Sequence, residues 1–346
     1  MMATVTADDS WMQLAVELAK KGVRGANPLV GAVLVDRFGN KLAEGWHRGA
    51  GSEHAEIMAL RAAQKIKGDL SDCCLYVSLE PCHHTGRTPP CSRALLASGI
   101  GRIVYGQTDT TAAAGGATFL AAAGLELVQH RAGAAASEQL NRRWIRRMQE
   151  NRPWVLAKLA SSLDGFCAAA DGTSQWITGR SAREDGHRLR AKSAAILVGS
   201  QTIFTDNPRL SARDGEGQLL EQQPIPVVMG YRQLPKQAAI FADKRTILLR
   251  THSPRQALAQ LKERGIEQLL IEGGPTVLSA FLAQDLLDEL YWYLNPSLLG
   301  AGLASVADIG VGSLAQAQRW VLDDLEQSPA LRQLGQDLCL HMLAPR

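Results

Sequence analysis

His54-Ala55-Glu56, then Pro81-Cys82, then Cys91 after eight intervening residues, constrain this chain more than anything else in it. One imidazole and two thiols far apart in sequence can serve a single ion only if a fold brings the ends of separate segments to one point. Together they give three protein ligands for a tetrahedral Zn2+ and leave a fourth position open, the layout of a catalytic site rather than a closed structural one. Glu56, two residues beyond His54, is well placed to shuttle protons without binding the metal. A His-x-Glu followed by Pro-Cys and a further Cys is a signature of zinc-dependent deamination of amino-heterocycles. Each piece alone arises by chance, and an isolated cysteine reads first as a small buried hydrophobe. Their joint occurrence, in this order, is what makes the pattern specific. Cys73 and Cys74 take the packing reading, at the start of a strand. His83 and His84 lie between the two cysteines, but adjacent loop histidines do not easily face one ion together. They are read as contacts to solvent or substrate.

The first half alternates helical and strand-like segments. Asp9 or Ser10 is expected to cap a helix with Leu14, Ala15, Leu18 and Ala19 on its apolar face. Residues 32–35 read as a buried strand, and Phe38-Gly39-Asn40 as a hairpin turn into 42–46. A helix is expected from His54, with Ile57, Leu60, Ala63 and Ile66 along one side. A strand over 75–79 precedes the metal loop, and Pro89-Pro90-Cys91 opens a helix stopped near Gly99. Short strands over 103–105 and 125–128 follow, with a helix between them. This is an α/β arrangement with helices covering a sheet. His54 and Cys91 both fall at helix starts, whose positive ends favour thiolate and hydroxide.

At 346 residues the chain exceeds one hydrophobic core, so two domains are expected, divided near Arg152-Pro153. The pattern then restarts, with strands over 154–159, 195–198, 227–229, 246–249, 269–271 and 290–294, and a closing strand over 338–343. Helices are expected near 182–191, 254–264 and 276–283. The net charge of +3 offers little to nucleic acid. The stretch Arg142-Arg143-Trp144-Ile145-Arg146-Arg147 reads as a solvated basic face on a linker helix. No apolar run is long enough to span a bilayer. The first residues carry no secretory signal, so the six cysteines are expected to be reduced thiols in the cytoplasm. No nucleic-acid or membrane partner is expected. No Gly-x-Gly-x-x-Gly follows a strand, which argues against a Rossmann-type site. Taken singly, Trp176 reads as a core anchor and Arg190 and Arg213 as surface residues, while Glu272-Gly-Gly-Pro-Thr reads either as a plain strand-to-helix turn or as a turn whose N–H groups bind a cofactor phosphate.

Asn27-Pro28-Leu29-Val30-Gly31-Ala32-Val33, His54-Ala55-Glu56 and the run from Glu80 to Cys91 resemble the deaminase half of the bifunctional riboflavin-biosynthesis deaminase/reductase family. The Gly-Arg-Thr-Pro-Pro-Cys run in a long Cys-to-Cys loop separates it from deaminases whose cysteines are closer together. Lys158 to Gly165, Ser174 to Thr178, Leu189-Arg190, Val198-Gly199, Asp206-Asn207-Pro208, Leu210 to Arg213 and Glu272 to Thr276 resemble the reductase half. The resemblance covers essentially the whole chain. It implies a cytidine-deaminase-like α/β/α sandwich over 1–150 and a dihydrofolate-reductase-like α/β domain over 151–346. The implied reactions are deamination of 2,5-diamino-6-(5-phosphoribosylamino)pyrimidin-4(3H)-one and reduction of the ribosyl side chain to ribityl with NADPH.

Residue by residue, the resemblance places Zn2+ on His54, Cys82 and Cys91, with Glu56 as proton carrier and Asn27 and Arg87 beside the deaminase substrate. It places NADPH near Ala160, Trp176, Thr202, Asp206 and Gly274, Pro275, Thr276, Val277, Leu278, Ser279 and Ala280. Ser174, Arg190, Leu210, Arg213 and Glu272 would contact the phosphorylated reductase substrate. The family is commonly dimeric through its reductase domain, so a homodimer is implied. Two stretches depart from the family. Thr110-Thr111-Ala112 replaces Pro-Asn-Pro after Asp109, in a loop that would help hold the substrate. Pro226, Gly230 and Tyr231 replace a stretch that usually carries Arg and then Asp-Ser. The second departure raises an alternative expectation, an active deaminase with a weakened or non-functional reductase domain.

Overall fold

The computed structural model describes residues 6–22, 27–49, 52–84, 89–111, 113–323 and 329–345. The chain forms two compact units, Met1–Glu150 and Asn151–Arg346.

In the first unit, Thr6 caps helix α1 (Ala7–Ala19). Its hydroxyl accepts from the Asp9 N–H, while the Asp9 carboxylate accepts from the Thr6 N–H. The sequence places the cap at Asp9 or Ser10. That reciprocal pairing makes Asp9 the third helical residue instead. Strand β1 (Gly31–Val35) is buried on both faces and turns into β2 (Lys41–Trp46). The Asp36 carboxylate holds that turn by accepting from the N–H groups of Phe38 and Asn40, each at 2.8 Å. Then follow α2 (Ala55–Gln64), β3 (Cys74–Leu79), α3 (Cys91–Ala97), β4 (Arg102–Gln107), α4 (Gly116–Ala122), β5 (Glu126–Gln129) and α5 (Arg131–Glu150).

The strands lie in the order β2-β1-β3-β4-β5, antiparallel up to β3 and parallel beyond it. Alternating side chains serve the two faces. Ala32, Leu34, Leu75 and Val77 pack with Ala59, Leu60, Ala63 and Leu95, under α2 and α3. Val33, Val35, Tyr76 and Val104 pack with Met12, Ala15 and Leu18 of α1. A Cβ on Gly31 would lie 2.1 Å from the Ala15 carbonyl, so α1 rests directly on β1. Ile66, expected on the inner side of α2, lies past the helix end and is exposed. Arg142 and Arg147 of α5 are buried, unlike the solvated basic face expected. Long arginine stems can cover apolar surface, which a charge count does not show.

The second unit contains β6 (Trp154–Ser162), β7 (Phe166–Ala169), α6 (Arg180–Ala191), β8 (Ala195–Gly199), α7 (Ser200–Asp206), β9 (Ile225–Met229), β10 (Ile247–Leu249) and α8 (Pro254–Glu263). It continues with β11 (Gln268–Ile271), α9 (Pro275–Leu282), β12 (Glu289–Asn295), β13 (Gly302–Ala304), β14 (Val321–Leu322), β15 (Leu331–Leu334) and β16 (Asp337–Leu343). The large sheet runs β10-β9-β8-β11-β6-β12-β16-β14, with β15 also on β16. It is parallel from β10 to β12 and antiparallel thereafter. β7 and β13 form a separate ribbon. Apolar clusters fill both faces of the large sheet. α7 and the strands β7, β13, β14 and β15 had no counterpart in the sequence reading, because each is too short to carry a periodic signal.

From β8 the chain moves outward to β9 and β10 and then returns to insert β11 beside β8. Such a reversal opens a crevice at the carboxyl ends of the strands, where ligands of open α/β sheets bind. No helix among the described residues is long and apolar enough to cross a membrane.

Asn141 on α5 fixes the segment that leads into β1. Its side chain accepts from the Leu29 N–H at 2.7 Å and donates to the Leu29 carbonyl at 3.0 Å, both buried. Asn141→Leu strands two buried backbone groups, at about 1–3 kcal/mol each. The thermal transition of the first unit should fall, with the second unit's transition unchanged, as read by calorimetry of the intact chain.

Candidate functional site

In the first unit, His54 is the extended N-cap of α2 and Cys91 the first residue of α3, while Cys82 lies just beyond β3. His54 Nδ1 stands 3.1 Å from Cys91 Sγ and 3.6 Å from Cys82 Sγ, and the three ligand atoms all lie within 4.8 Å of one another. Zinc at about 2.0–2.1 Å from nitrogen and about 2.3 Å from sulfur would place tetrahedral N and S donors about 3.5 Å apart. The donors therefore fit the metal in kind and in spacing.

The thiols are electrostatically unequal. Hydrogen bonds from Cys91 and His54 bring Cys82 down to about 4, so it is a thiolate. Its charge, with burial and Glu56, pushes Cys91 up. The His54 imidazole is raised, chiefly by its bond to Cys82.

Glu56 is buried in the first turn of α2, and burial raises its carboxyl above the ordinary range. It neighbours Cys91 and His54. The imidazole of His47, 4% exposed, meets that of His54 edge-on at 5.5 Å. His47 Nδ1 faces the Glu53 carbonyl at 3.2 Å, which can only accept, so the proton sits on Nδ1. Nε2 then accepts from the Asn27 amide at 2.9 Å. Burial also lowers the His47 pKa, in keeping with a neutral ring. Sequence reasoning found Asn27 only through the family resemblance and missed His47, since no spacing rule links Trp46-His47-Arg48 to a metal. His83 bonds Ser92 Oγ through Nδ1 at 2.9 Å and packs on Phe119, while His84 is exposed. Arg87 and Ala112 lie outside the described residues.

Glu80 braces the loop opposite the metal donors. Its carboxylate accepts from the N–H groups of Asp109 (3.1 Å), Gly115 (3.2 Å) and Ala117 (3.0 Å). A Cβ on Gly116 would lie 1.7 Å from the Pro81 carbonyl, so only glycine lets α4 approach the Pro-Cys turn.

In the second unit, Thr202 and Asp206 follow β8, while Glu272 and residues 274–280 follow β11. Arg190 grips Glu272 through two bonds of 2.8 and 2.6 Å and donates to the Ser211 carbonyl. Arg213 donates to Ser211 Oγ and the Gly217 carbonyl, and its N–H to His187 Nδ1. Leu210 is buried at φ +57. Burial pushes Glu272 up, but Arg190 and Lys158 hold it below its ordinary value. Val277, in the first turn of α9, fills the space that a Cβ on Gly199 or Gly273 would need, so the turns after β8 and β11 meet closely. Gly274 caps α9, and Thr202 and Asp206 lie on α7. Burial raises the Asp206 pKa. Arg190 is not the surface residue its type suggests. Trp176 is no core anchor: it is 69% exposed, with the Arg183 guanidinium 4.5 Å over its ring. Among the described residues no hydrogen bond ties Ser174 to either arginine. Ala160 lies on β6, two residues past Lys158.

Lys158 was missed as a site residue. It follows Ala157, which pairs with Ile271, so it stands beside Glu272. Its Nζ lies 5.7 Å over the Tyr293 ring and makes no hydrogen bond or ion pair among the described residues. Burial drives its pKa below the ordinary lysine range, and Arg190 adds to this against the pull of Glu272. Glu289, Asp323 and His341 form a second metal-capable group. There His341 Nε2 is 2.5 Å from Glu289 and 3.6 Å from Asp323, while Trp154 and Tyr291 donate to the two Glu289 oxygens. These groups are committed to protein partners, as in a buried structural ion pair.

Comparison with known proteins matches residues 5–107 to the cytidine and deoxycytidylate deaminase zinc-binding region, and residues 153–330 to the RibD C-terminal domain. The riboflavin biosynthesis protein RibD of Mycobacterium tuberculosis is 40% identical over 98% of both chains. That of Escherichia coli is 36% identical over 97% of this chain and 99% of its own. Acinetobacter baumannii RibD superposes with a TM-score of 0.84 at 35% identity, covering 99% of this chain and all of that one. The Thermotoga maritima diaminohydroxyphosphoribosylaminopyrimidine deaminase/5-amino-6-(5-phosphoribosylamino)uracil reductase gives 0.80 at 30%, covering 98% of this chain and 99% of its own.

Cys82→Ser should weaken zinc retention by about tenfold or more. Metal analysis after dialysis checks this, and undiminished zinc content would remove Cys82 from the ligand set.

Proposed function

The chain belongs to the bifunctional riboflavin-biosynthesis deaminase/reductase family, and from that premise we propose how its residues divide the two reactions. It is a zinc-dependent deaminase and an NADPH-dependent reductase. It converts 2,5-diamino-6-(5-phosphoribosylamino)pyrimidin-4(3H)-one to the aminouracil, then reduces the ribosyl side chain to ribityl. We assign deamination to residues 1–150 and reduction to residues 151–346. The convergence of His54 Nδ1, Cys82 Sγ and Cys91 Sγ beside the buried Glu56 carboxyl carries this reading.

His54, Cys82 and Cys91 would hold Zn2+, which would supply Lewis acidity to the site. Glu56 takes a proton from the attacking water and returns it to the ring nitrogen and the departing amine. Burial suits it to that exchange, because a carboxyl with a raised pKa holds a transferred proton more readily than an exposed one. Asn27, oriented by neutral His47, and Arg87 bind the pyrimidine ribotide.

In the second unit, NADPH supplies the hydride. Ala160, Trp176, Thr202, Asp206 and residues 274–280 form its seat. Arg213 and Arg190 hold the substrate phosphate end by charge-assisted bonds, with Ser174, Leu210 and Glu272 beside them. Lys158 donates the proton to the sugar ring oxygen as the ring opens, a task for which a desolvated ammonium with a lowered pKa is suited. The Glu272–Arg190 pair and the close β8–β11 turns favour a working reductase over a degenerate one. We place the enzyme in the cytoplasm as a homodimer through its second unit, an assembly that light scattering tests.

Glu56→Gln should keep its zinc and lose about 10²–10⁴ of the deamination rate, while reduction of supplied aminouracil ribotide continues. Mass spectrometry of products with and without NADPH reads both, and full deamination by the variant would refute the role of Glu56. Lys158 must be protonated to act, so reduction should fall as pH rises through its pKa, below the ordinary lysine value of about 10.4. Lys158→Arg should push that limb out of range, whereas an unmoved limb would assign it elsewhere.

A further inference from the structure

Lys158 has chemistry that proton donation does not exhaust. Its side chain is partly buried, lies over the Tyr293 ring, and makes no hydrogen bond or ion pair among the described residues; a Cβ on Gly186 of α6 would just touch its Cε, at 3.7 Å. It shares the crevice with Glu272, Arg190 and His187. We propose that Lys158 is a carbonyl-reactive lysine, whose amine condenses with a phosphorylated aldehyde seated at the Arg190–Arg213 end and so closes the reductase site reversibly. This rests on reading that end as a phosphate seat.

Only a neutral amine attacks a carbonyl, and a lysine kept from water and from carboxylate bonds yields its proton more readily than an exposed one. The contrast within the chain is direct. Lys20 and Lys41 are exposed and paired with Glu17 and Glu44, at 2.6 and 2.7 Å, and Lys67 is paired with Asp72. In the condensation the Lys158 nitrogen forms a bond to the aldehyde carbon. The carbonyl oxygen leaves as water with two protons from the nitrogen, and an imine remains. Hydrolysis reverses the step. Open-chain aldose phosphates are the matching class, because they carry an aldehyde and a phosphate on one short skeleton. The reductase would then be held back when such sugars accumulate, and deamination would not.

The intact zinc-loaded protein is incubated with ribose 5-phosphate, ribose, or pyridoxal 5′-phosphate, then with cyanoborohydride, whose hydride reduces the imine to a stable secondary amine. Peptide mass spectrometry should place the adduct on Lys158 with either phosphate, and at least tenfold less of it with ribose. Reductase activity should fall more than tenfold and deamination should stay. Excess aminouracil ribotide should protect wild-type protein, and Lys158→Arg should carry no adduct there. Label spread over Lys20, Lys21 and other exposed lysines, with Lys158 unmodified, overturns the proposal, as does equal labelling by ribose. Unmodified enzyme is assayed alongside. If it reduces substrate and Lys158 stays unlabelled, this inference alone fails. If Lys158 is labelled and the enzyme reduces nothing, the carbonyl reactivity stands and the functional reading fails.

Discussion

Two sulfurs and a nitrogen can share one ion only when three chain ends meet within a few ångströms, and the first unit is built around that demand. α2 and α3 must begin at the same place, and β3 must stop beside them. The parallel β3–β4 pairing sets where the metal loop leaves the sheet. Gly31 lets α1 lie on β1, and Gly116 lets α4 reach the Pro81 carbonyl. The Cys91 N–H donates to Cys82 Sγ at 3.4 Å, so one ligand's backbone helps hold the other's thiolate. Such support keeps donors in place before a metal arrives, as ligand geometry requires.

Desolvation is the second shared device. In both units a charged group is taken from water and left under-compensated, with the effect that its proton becomes mobile. Glu56 is raised and Lys158 lowered, each mainly by burial. Neighbouring groups that serve binding are compensated instead, as Glu272 is by Arg190. The same burial thus shifts a group's proton affinity where compensation is partial and leaves a rigid ion pair where it is full.

The meeting of His54, Cys82 and Cys91 was legible because ligand chemistry restricts both residue type and order, and strand-to-helix positions could be read from hydrophobic periodicity. Long elements such as β6, α6 and β12 were legible for the same reason. His47 was not, because its place depends on a hydrogen bond from Asn27 twenty residues away in sequence. Lys158 begins a family motif, but its place over Tyr293 exists only after β6 and β12 pair. The burial of Arg142 and Arg147 could not be read either, since their charge says nothing of where their stems lie.

The two departures from the family pattern have physical compensations in this chain. Where prolines would stiffen the loop after Asp109, hydrogen bonds do so. The Asp109 carboxylate accepts from the Thr111 N–H and hydroxyl at 2.8 and 2.7 Å, and Thr111 Oγ1 accepts from the Ala113 N–H. Ala113 then accepts from the His83 N–H at 2.9 Å, which ties the loop to the metal-bearing segment. Gly230 has φ +138, and a Cβ there would lie 2.7 Å from Ser200 Oγ, so a larger residue would push α7 away from β9. Pro226, second residue of β9, pairs with Ile196 of β8 but stands before the β10 ladder begins at Val227, so on that side no donor is missed. Tyr231 turns its exposed ring against His252 at 5.1 Å. Thr111, Gly230 and Pro226 are therefore matched by the backbone around them and Tyr231 by the His252 ring, so local fit rather than decay accounts for them.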